Sequence, residues 1–472
     1  FTLRWLGFSV APSLLGSILY TFLPYHFLRV DHLFLSCYCL VPLLVLTAIW
    51  VAQGVPLLVS RDPESGKLRP SIRDKSSLLS LGILALAAAS GVYYVFFACF
   101  FLVIAGIQAF ILRRELLPTL RAVILSGAAT LILLLCMSPT ILYRFHYGPN
   151  PEAVVRSPHS AEEYGLKIAQ LVLPMRLHRI PRLANLRRNY DHGPLNNENS
   201  NSSLGAAGTL GFLALIALAF FPFRGSPHWQ LVRTLATLNI AALLLATIGG
   251  FGSILSWLGL KEIRAYNRIS IFIALFSVLA LVSFFETAIN WAKNEAWRRA
   301  AIIALLLFVF VAGLWEQTSP LLRPSYAAYS EHYSIDAEFV SMIEALLPER
   351  AMIFQLPHIS FPEGGAPGRM IGHDHFEAYL HSRSLRWSFG AIKGREGGRW
   401  QDRIASLSPE EMVSSLAFYG FSGIYVDRSG YQEDDKIAEE LARIIGSKPL
   451  VSRDERLVFF DIRDYPKKAT VR

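Results

Sequence analysis

The sequence predicts a mainly α-helical, polytopic transmembrane bundle of about nine spans, followed by a small C-terminal α/β domain. Three observations predict it. Hydrophobic residues make up 53% of the 472 residues and charged ones only 17%, and the mean hydropathy is +0.38. Several apolar runs approach the roughly 20 residues that cross a bilayer as a helix. The last third of the chain loses that character and alternates helix-like with strand-like stretches, the pattern of a layered α/β unit.

The expected spans, taken in order, are about 5–24, 33–52, 77–92, 94–112, 121–142, 205–223, 234–252, 269–290 and 299–318. The third and fourth form one apolar run from Leu78 to Leu112, too long for an ordinary span, and Gly91 is the expected break. The transmembrane part is therefore expected to be 1–318, interrupted by a long external loop at 143–204, and 319–472 to be a separate soluble domain. Basic residues orient the bundle. An inside N-terminus gathers Arg61, Lys67, Arg69, Arg73 and Lys75 in one inside loop, and Arg113, Arg114 and Arg121 in the next. Arg224 and Arg233 fall in the third, and Lys293, Arg298 and Arg299 in the fourth. That is a positive-inside bias, and it puts the C-terminal domain outside the cytoplasm.

Within the tail, "IDAEFVSMIEALL" reads as a helix and "AMIFQLP" as a buried strand. "SPEEMVSSLAFYG" opens with Ser408, Pro409 and Glu411, the signature of a capping box. "FSGIYVD" is a strand, "DDKIAEELARIIG" a helix ending at Gly446, and "RLVFFDIR" a last strand. "SRSLRWSFGAIKGREGGRW", with its aromatics, glycines and bases, reads as a loop, either acceptor-binding or structural.

The formal net charge of +9 is explained by basic inside loops, so it does not point to nucleic acid. Cys37, Cys39, Cys99 and Cys136 all fall in apolar spans without zinc-site spacing, and no disulfide framework is expected. There is no G-x-G-x-x-G, P-loop or nucleophile elbow, so no nucleotide is expected. The chain starts at Phe1 with no visible signal peptide, which reads as a fragment or processed form with a part upstream.

Chemistry-bearing residues collect on the outer side. In "YGLKIAQLVLPMRLHRIPRLANLRRNYDHGPLNNENSNSSLG", apolar residues Leu177, Ile180, Leu183 and Leu186 recur beside Arg176, Arg179 and Arg182. The segment reads as an interfacial amphipathic piece split by Pro181. Arginine grips phosphate through a bidentate fork, so Arg176, Arg179 and Arg182 are candidate contacts to the phosphate of a lipid-linked substrate; attraction to anionic headgroups is the competing reading. Asn196, Asn197 and Glu198 open a polar tract suited to sugar hydroxyls, or a plain loop. Joining the first two spans, "LPYHFLRVDHLFLS" clusters His26, Arg29, Asp31 and His32. Ionisable groups there are costly unless paired or solvated; Asp31 is a candidate base, with His26 or His32 orienting it or holding phosphate, a divalent metal is one further use of these groups, and an Arg29–Asp31 turn is the competing reading. Tyr93 and Tyr94 lie at the same level, where an interfacial tyrosine belt is the competing reading; with His26, Arg29 and His32 they are candidate substrate contacts, and Arg264 and Arg268 in "KEIRAYNR" are further phosphate candidates.

The order "LYTFLPYHFLRVDHLFLSCYCLVPL", "SGVYYVFF", "YGLKIAQLVLPMRLHRIPRL…GPLNNENSNSSLG" and "IRAYNRISIFIALFS", with an extracytoplasmic tail, resembles bacterial YfhO-type and related GT-C membrane glycosyltransferases. The likeness spreads over most of the chain and rests on layout and short degenerate motifs. It implies a hexosyltransferase of the bacterial cytoplasmic membrane, working on its outer side, that takes its sugar from a polyprenyl-phosphate donor held in a lateral groove between spans. The acceptor would be an extracytoplasmic glycan, a lipid-linked glycan or a wall polymer. In one place the chain departs from the family: no D-x-D or E-x-D stands in the opening loop. Either that loop lies upstream of Phe1, or catalysis is lost; Asp31 is the catalytic candidate by position. Two rival readings are a transporter or flippase of lipid-linked sugars and a non-enzymatic scaffold for envelope polymers. A flippase would want charges inside spans and an internal repeat, neither of which is visible.

Overall fold

The computed structural model describes residues 1–30, 32–62, 64–221, 228–432 and 436–466. Asp31, Arg224, Asp434 and Asp435 lie outside the described residues. The chain divides into two compact units, 1–142 with 155–323, and 143–154 with 324–472.

The first unit is a helical bundle of a multi-pass membrane protein. Its main helices are α1 (Val10–Thr21), α2 (Val41–Gln53), α3 (Lys75–Ser90), α4 (Val92–Arg113), α5 (Leu117–Cys136), α6 (Gly205–Phe220), α7 (Trp229–Ala246), α8 (Ser270–Trp291) and α9 (Ala296–Gln317). Among the described residues, six helical stretches are long and apolar enough to cross a membrane: Leu33–Gln53 and those of α4, α5, α7, α8 and α9. Three expected spans are shorter. α3 and α6 have 16 residues each and α1 has 12, a rise of roughly 18–24 Å against a hydrocarbon core of about 30 Å. The long run from Leu78 does break at Gly91, between α3 and α4. The expected fifth span shifts toward the N-terminus, because Pro118 starts its helix early and Met137 separates it from a further helix, Ser138–Tyr147.

α8 runs almost wholly buried through the bundle. Its Phe272 and Phe276 pack against Phe97 and Phe101 of α4, with ring centroids 5.2–5.9 Å apart. α6 closes on α8 through Gly211, where an added Cβ would stand 2.0 Å from the Ser277 carbonyl oxygen; small residues let membrane helices meet backbone to backbone. Two basic residues where α4 gives way to α5 hold the adjoining structure. Arg113 donates to Gln53 O at 2.7 Å, and buried Arg121 donates to Gly54 O and Val59 O, both at 2.9 Å. They satisfy carbonyls at and just beyond the C-terminus of α2, where a cation is also favoured by the helix dipole. Val59 belongs to a small hairpin, β1 (Leu58–Arg61) with β2 (Leu68–Ser71).

The second unit is a three-layer α/β fold. α10 (Tyr326–Leu346), β3 (Met352–Leu356), α11 (His375–His381), β4 (Arg386–Trp387), α12 (Glu396–Ala405), α13 (Pro409–Phe418), β5 (Phe421–Asp427), α14 (Ile437–Ile445), β6 (Leu450–Val451) and β7 (Leu457–Asp461) follow in order. The sheet order is β4-β3-β5-β7-β6, with β3 parallel to β4 and β5 and β7 antiparallel to β5 and β6. The two-residue period of a strand divides the core. Phe354, Ile424, Val426, Val458 and Phe460 meet α12, α13 and α14, while Ile353, Tyr425, Leu457 and Phe459 meet α10 and α11. The capping box at Ser408 and Glu411 is formed. The stretch "SRSLRWSFGAIKGREGGRW" is not all loop: it carries edge strand β4 and helix α12, whose glycines and arginines hide its helical content. Residues 143–154 belong here because Arg395 reaches them. Its guanidinium donates to Tyr147 O at 3.1 Å and Gly148 O at 3.0 Å and lies 5.1 Å from the centre of the Tyr143 ring. Asn150 Nδ2 donates to Lys393 O at 2.9 Å.

Candidate functional site

Four segments of the first unit meet around Glu198, the last of them through Arg268. Arg29 follows the short helix Pro24–Leu28, Glu198 opens the 3-10 turn Glu198–Asn201, and Asn267 and Arg268 sit in the 3-10 turn Tyr266–Ile269 ahead of α8. The fourth is the start of α4, with Tyr93 and Tyr94. Glu198 Oε2 accepts from Arg29 Nη1 at 2.7 Å and Arg268 Nη2 at 3.2 Å; Oε1 accepts from Arg268 Nε and Asn267 Nδ2, both at 3.1 Å. Arg29 Nη2 also donates to Glu198 O at 2.9 Å and Asn267 Oδ1 at 2.7 Å. Burial alone would push the Glu198 carboxyl up. Arg29, Arg268 and Asn267 outweigh it and hold the carboxyl at about 2. With four donors and so low a pKa, Glu198 is a fixed anion and a poor general base.

Arg268 links this carboxylate to the aromatic wall of a cleft. Its guanidinium lies 4.4 Å from the Tyr93 ring centre and 6.0 Å from that of Phe34. Tyr93 Oη accepts from Ala265 N at 3.4 Å, which ties α4 to the arginine turn. Phe34, Tyr93 and Tyr94 line a cleft of about 290 Å³ with Cys37, Cys39 and Gly91. A larger cleft of about 710 Å³ shares Cys37 and Cys39 with it. The larger one is apolar for most of its lining, from Leu275, Val278 and Leu279 of α8 to Tyr20, Tyr38 and His26. Cys37, Cys39, Cys99 and Cys136 are free thiols.

The other sequence candidates separate. Arg264 lies over the Tyr164 ring at 4.5 Å. His26 is exposed and lines the larger cleft beside Tyr38, and His32 is exposed beside Phe34. Buried Tyr94 donates to Leu35 O at 2.8 Å. The arginine segment is not one amphipathic helix: only Pro181–Asp191 is helical, and Arg176 and Arg179 precede it. Arg176 stands 4.0 Å from Asp191. Arg179 donates to Thr318 O and lies over Trp315, and Arg182 is exposed. Arg187 is fully buried, donating to Asp191, Gln170 O, Pro174 O and Ser200 O. It is a structural staple for the loop.

The asparagine tract is folded by its own amides. Asn196 Nδ2 donates to Asp191 O at 2.9 Å and Gly193 O at 2.8 Å, and Asn197 Nδ2 to Glu163 O at 2.6 Å. Buried Asn199 donates to Gly165 O and Leu195 O, and Asn197 Oδ1 accepts from Asn199 N, an Asx turn that starts the 3-10 turn. This lattice aims Glu198 between the arginines. Sequence reasoning missed Asn199, Gln170 and Asp191 as its members; the i, i+4 spacing of Arg187 and Asp191 is the signal that was present. It also missed Tyr25, which lies 5.2 Å under Arg29.

No family model matches the chain, and no curated protein matches it. Among solved structures, the cryo-EM structure of arabinofuranosyltransferase AftD from mycobacteria is similar at a TM-score of 0.42 and 14% identity, over 98% of this chain and 32% of that one. This chain thus spans about a third of that protein, and the likeness is too loose to bear on function.

Proposed function

We propose that the chain is an integral membrane glycosyltransferase that moves a sugar from a polyprenyl-phosphate donor to an extracytoplasmic glycan or lipid-linked acceptor. The observation that carries the reading is Arg268 held by Glu198 beside Tyr93 and Phe34, which line the smaller of two apolar clefts that share Cys37 and Cys39. An isoprenoid chain suits the apolar clefts, and its phosphate suits a guanidinium whose other contacts are already fixed. Arg264 supplies a second cation close by in the chain, ahead of the same turn. The segment 162–205 and the C-terminal unit lie on the outer face in this reading, as the basic inside loops favour.

In the reaction, an acceptor hydroxyl gives its proton to a carboxylate and attacks the anomeric carbon. The bond from that carbon to the lipid-phosphate oxygen breaks, and the anomeric centre inverts. Arg268 and Arg264 stabilise the charge that develops on the departing phosphate. Asp31 remains the base by position, whereas Glu198 serves to aim the arginines.

The test uses full-length protein in lipid nanodiscs with labelled polyprenyl-phosphate sugars. The wild type transfers or hydrolyses the donor; Arg264→Ala and Arg268→Lys lower turnover at least tenfold while keeping the melting temperature of the wild type within a few degrees. The absence of both transfer and donor hydrolysis with every donor tried refutes the assignment.

A further inference from the structure

We propose that His332, Asp336 and Glu377 form a site for a divalent transition-metal ion of the Zn²⁺ type, which clips α10 to α11 in the second unit. His332 and Asp336 stand at i, i+4 on one face of α10, and Glu377 lies in the first turn of α11. One ligand atom from each residue lies within 4.8 Å of the others. His332 Nε2 is 3.0 Å from Glu377 Oε2 and 3.7 Å from Asp336 Oδ2. Four-coordinate zinc with bonds of about 2.0–2.2 Å separates its ligand atoms by roughly 3.4 Å, and these two distances bracket that value. One imidazole and two carboxylates leave a fourth position for water, a donor set that suits a borderline cation rather than Ca²⁺ or Mg²⁺.

Asp336 supplies an independent observation. Its side chain is 2% exposed. Oδ1 is taken by Arg456, whose guanidinium also holds Asp427 at 2.7 Å. Oδ2 is buried, faces His332 and receives no hydrogen bond. A buried carboxylate oxygen left so costs folding energy unless something positive meets it. Arg456 orients the carboxylate from behind, as outer partners of metal ligands do. Arg456 alone does not balance the site, because Asp427 and Asp454 both pair with it. On the side away from Arg456, His332 is the described basic group that faces both Asp336 and Glu377.

The experiment is a titration of chelator-stripped full-length protein with Zn²⁺, and with Co²⁺ read by visible absorption. The expected result is one equivalent bound per chain, with a tetrahedral Co²⁺ band that Zn²⁺ displaces, and a rise in the melting temperature of the second unit. His332→Ala with Glu377→Gln weakens binding at least 100-fold; both side chains are at least one-third exposed, so the metal-free melting temperature stays that of the wild type. Glu377→Asp keeps a carboxylate and still binds one equivalent, more weakly. No stoichiometric uptake, or uptake undiminished in the double variant, overturns the site. So does wild-type protein that takes no metal and holds one proton between Asp336 and Glu377.

Discussion

Replacing Glu198 by glutamine tests the centre of the bundle's polar site. A carboxyl held at about 2 instead of its ordinary 4.5 favours the charged form by about 3 kcal/mol. The side chain is only 17% exposed, so solvent screening takes little of that away. The neutral amide would also leave Arg29, which is 2% exposed, facing Arg268 without a counter-charge, and breaking such a pair costs about 3–5 kcal/mol. Both routes give the same size of effect. Because the folded-state pKa is depressed, the contribution is full above pH 4.5 and disappears as the pH falls toward 2. The assay is thermal unfolding of nanodisc-embedded wild type and Glu198→Gln from pH 7 down to pH 2. At about pH 7 the variant melts roughly 5–10 °C lower, and the gap closes through that acid window. A variant within about 1 °C of the wild type at neutral pH, or a gap that does not close in acid, refutes the reasoning.

Arg187→Ala removes a fully buried guanidinium with four partners; it lowers stability by about 3–5 kcal/mol, and limited proteolysis then cuts between 174 and 201. Gly211→Ala forces α6 from α8 at the Ser277 carbonyl and costs about 1–3 kcal/mol. Gly127→Ala in α5 meets nothing within 4 Å and leaves the melting temperature unchanged or higher. Ser408→Ala breaks the capping box of α13 and costs about 1 kcal/mol, read as a lower denaturation midpoint of the second unit.

Local patterns were legible and long-range pairing was not. The break at Gly91, the cap at Ser408 and the strands Met352–Leu356, Phe421–Asp427 and Leu457–Asp461 each follow from residues next to one another. The meeting of Arg29, Glu198 and Arg268 joins positions far apart in the chain, and periodicity carries no such information. Arg29, Glu198 and Arg268 were each singled out, but as separate substrate contacts. Arg176 and Arg187 look alike in sequence, yet one is exposed and the other fully buried, because burial depends on the fold around Gln170 and Ser200 rather than on residue type. The asparagine tract reads as free amides until its hydrogen bonds to backbone carbonyls are seen; Asn and Asp favour such local bonding over regular structure. Span lengths failed where Pro118 and Met137 moved helix ends that hydropathy alone cannot locate.

Arg395 and Asn150 make the second unit a discontinuous piece of chain, composed of 143–154 and 324–472. The polypeptide therefore crosses between the units three times. A single cut after Arg323 releases an incomplete body, with the backbone carbonyls of Tyr147 and Gly148 stripped from their guanidinium. Recombination that exchanges only the C-terminal stretch would unite mismatched halves, so the insert and the tail have to be inherited, grafted or expressed together.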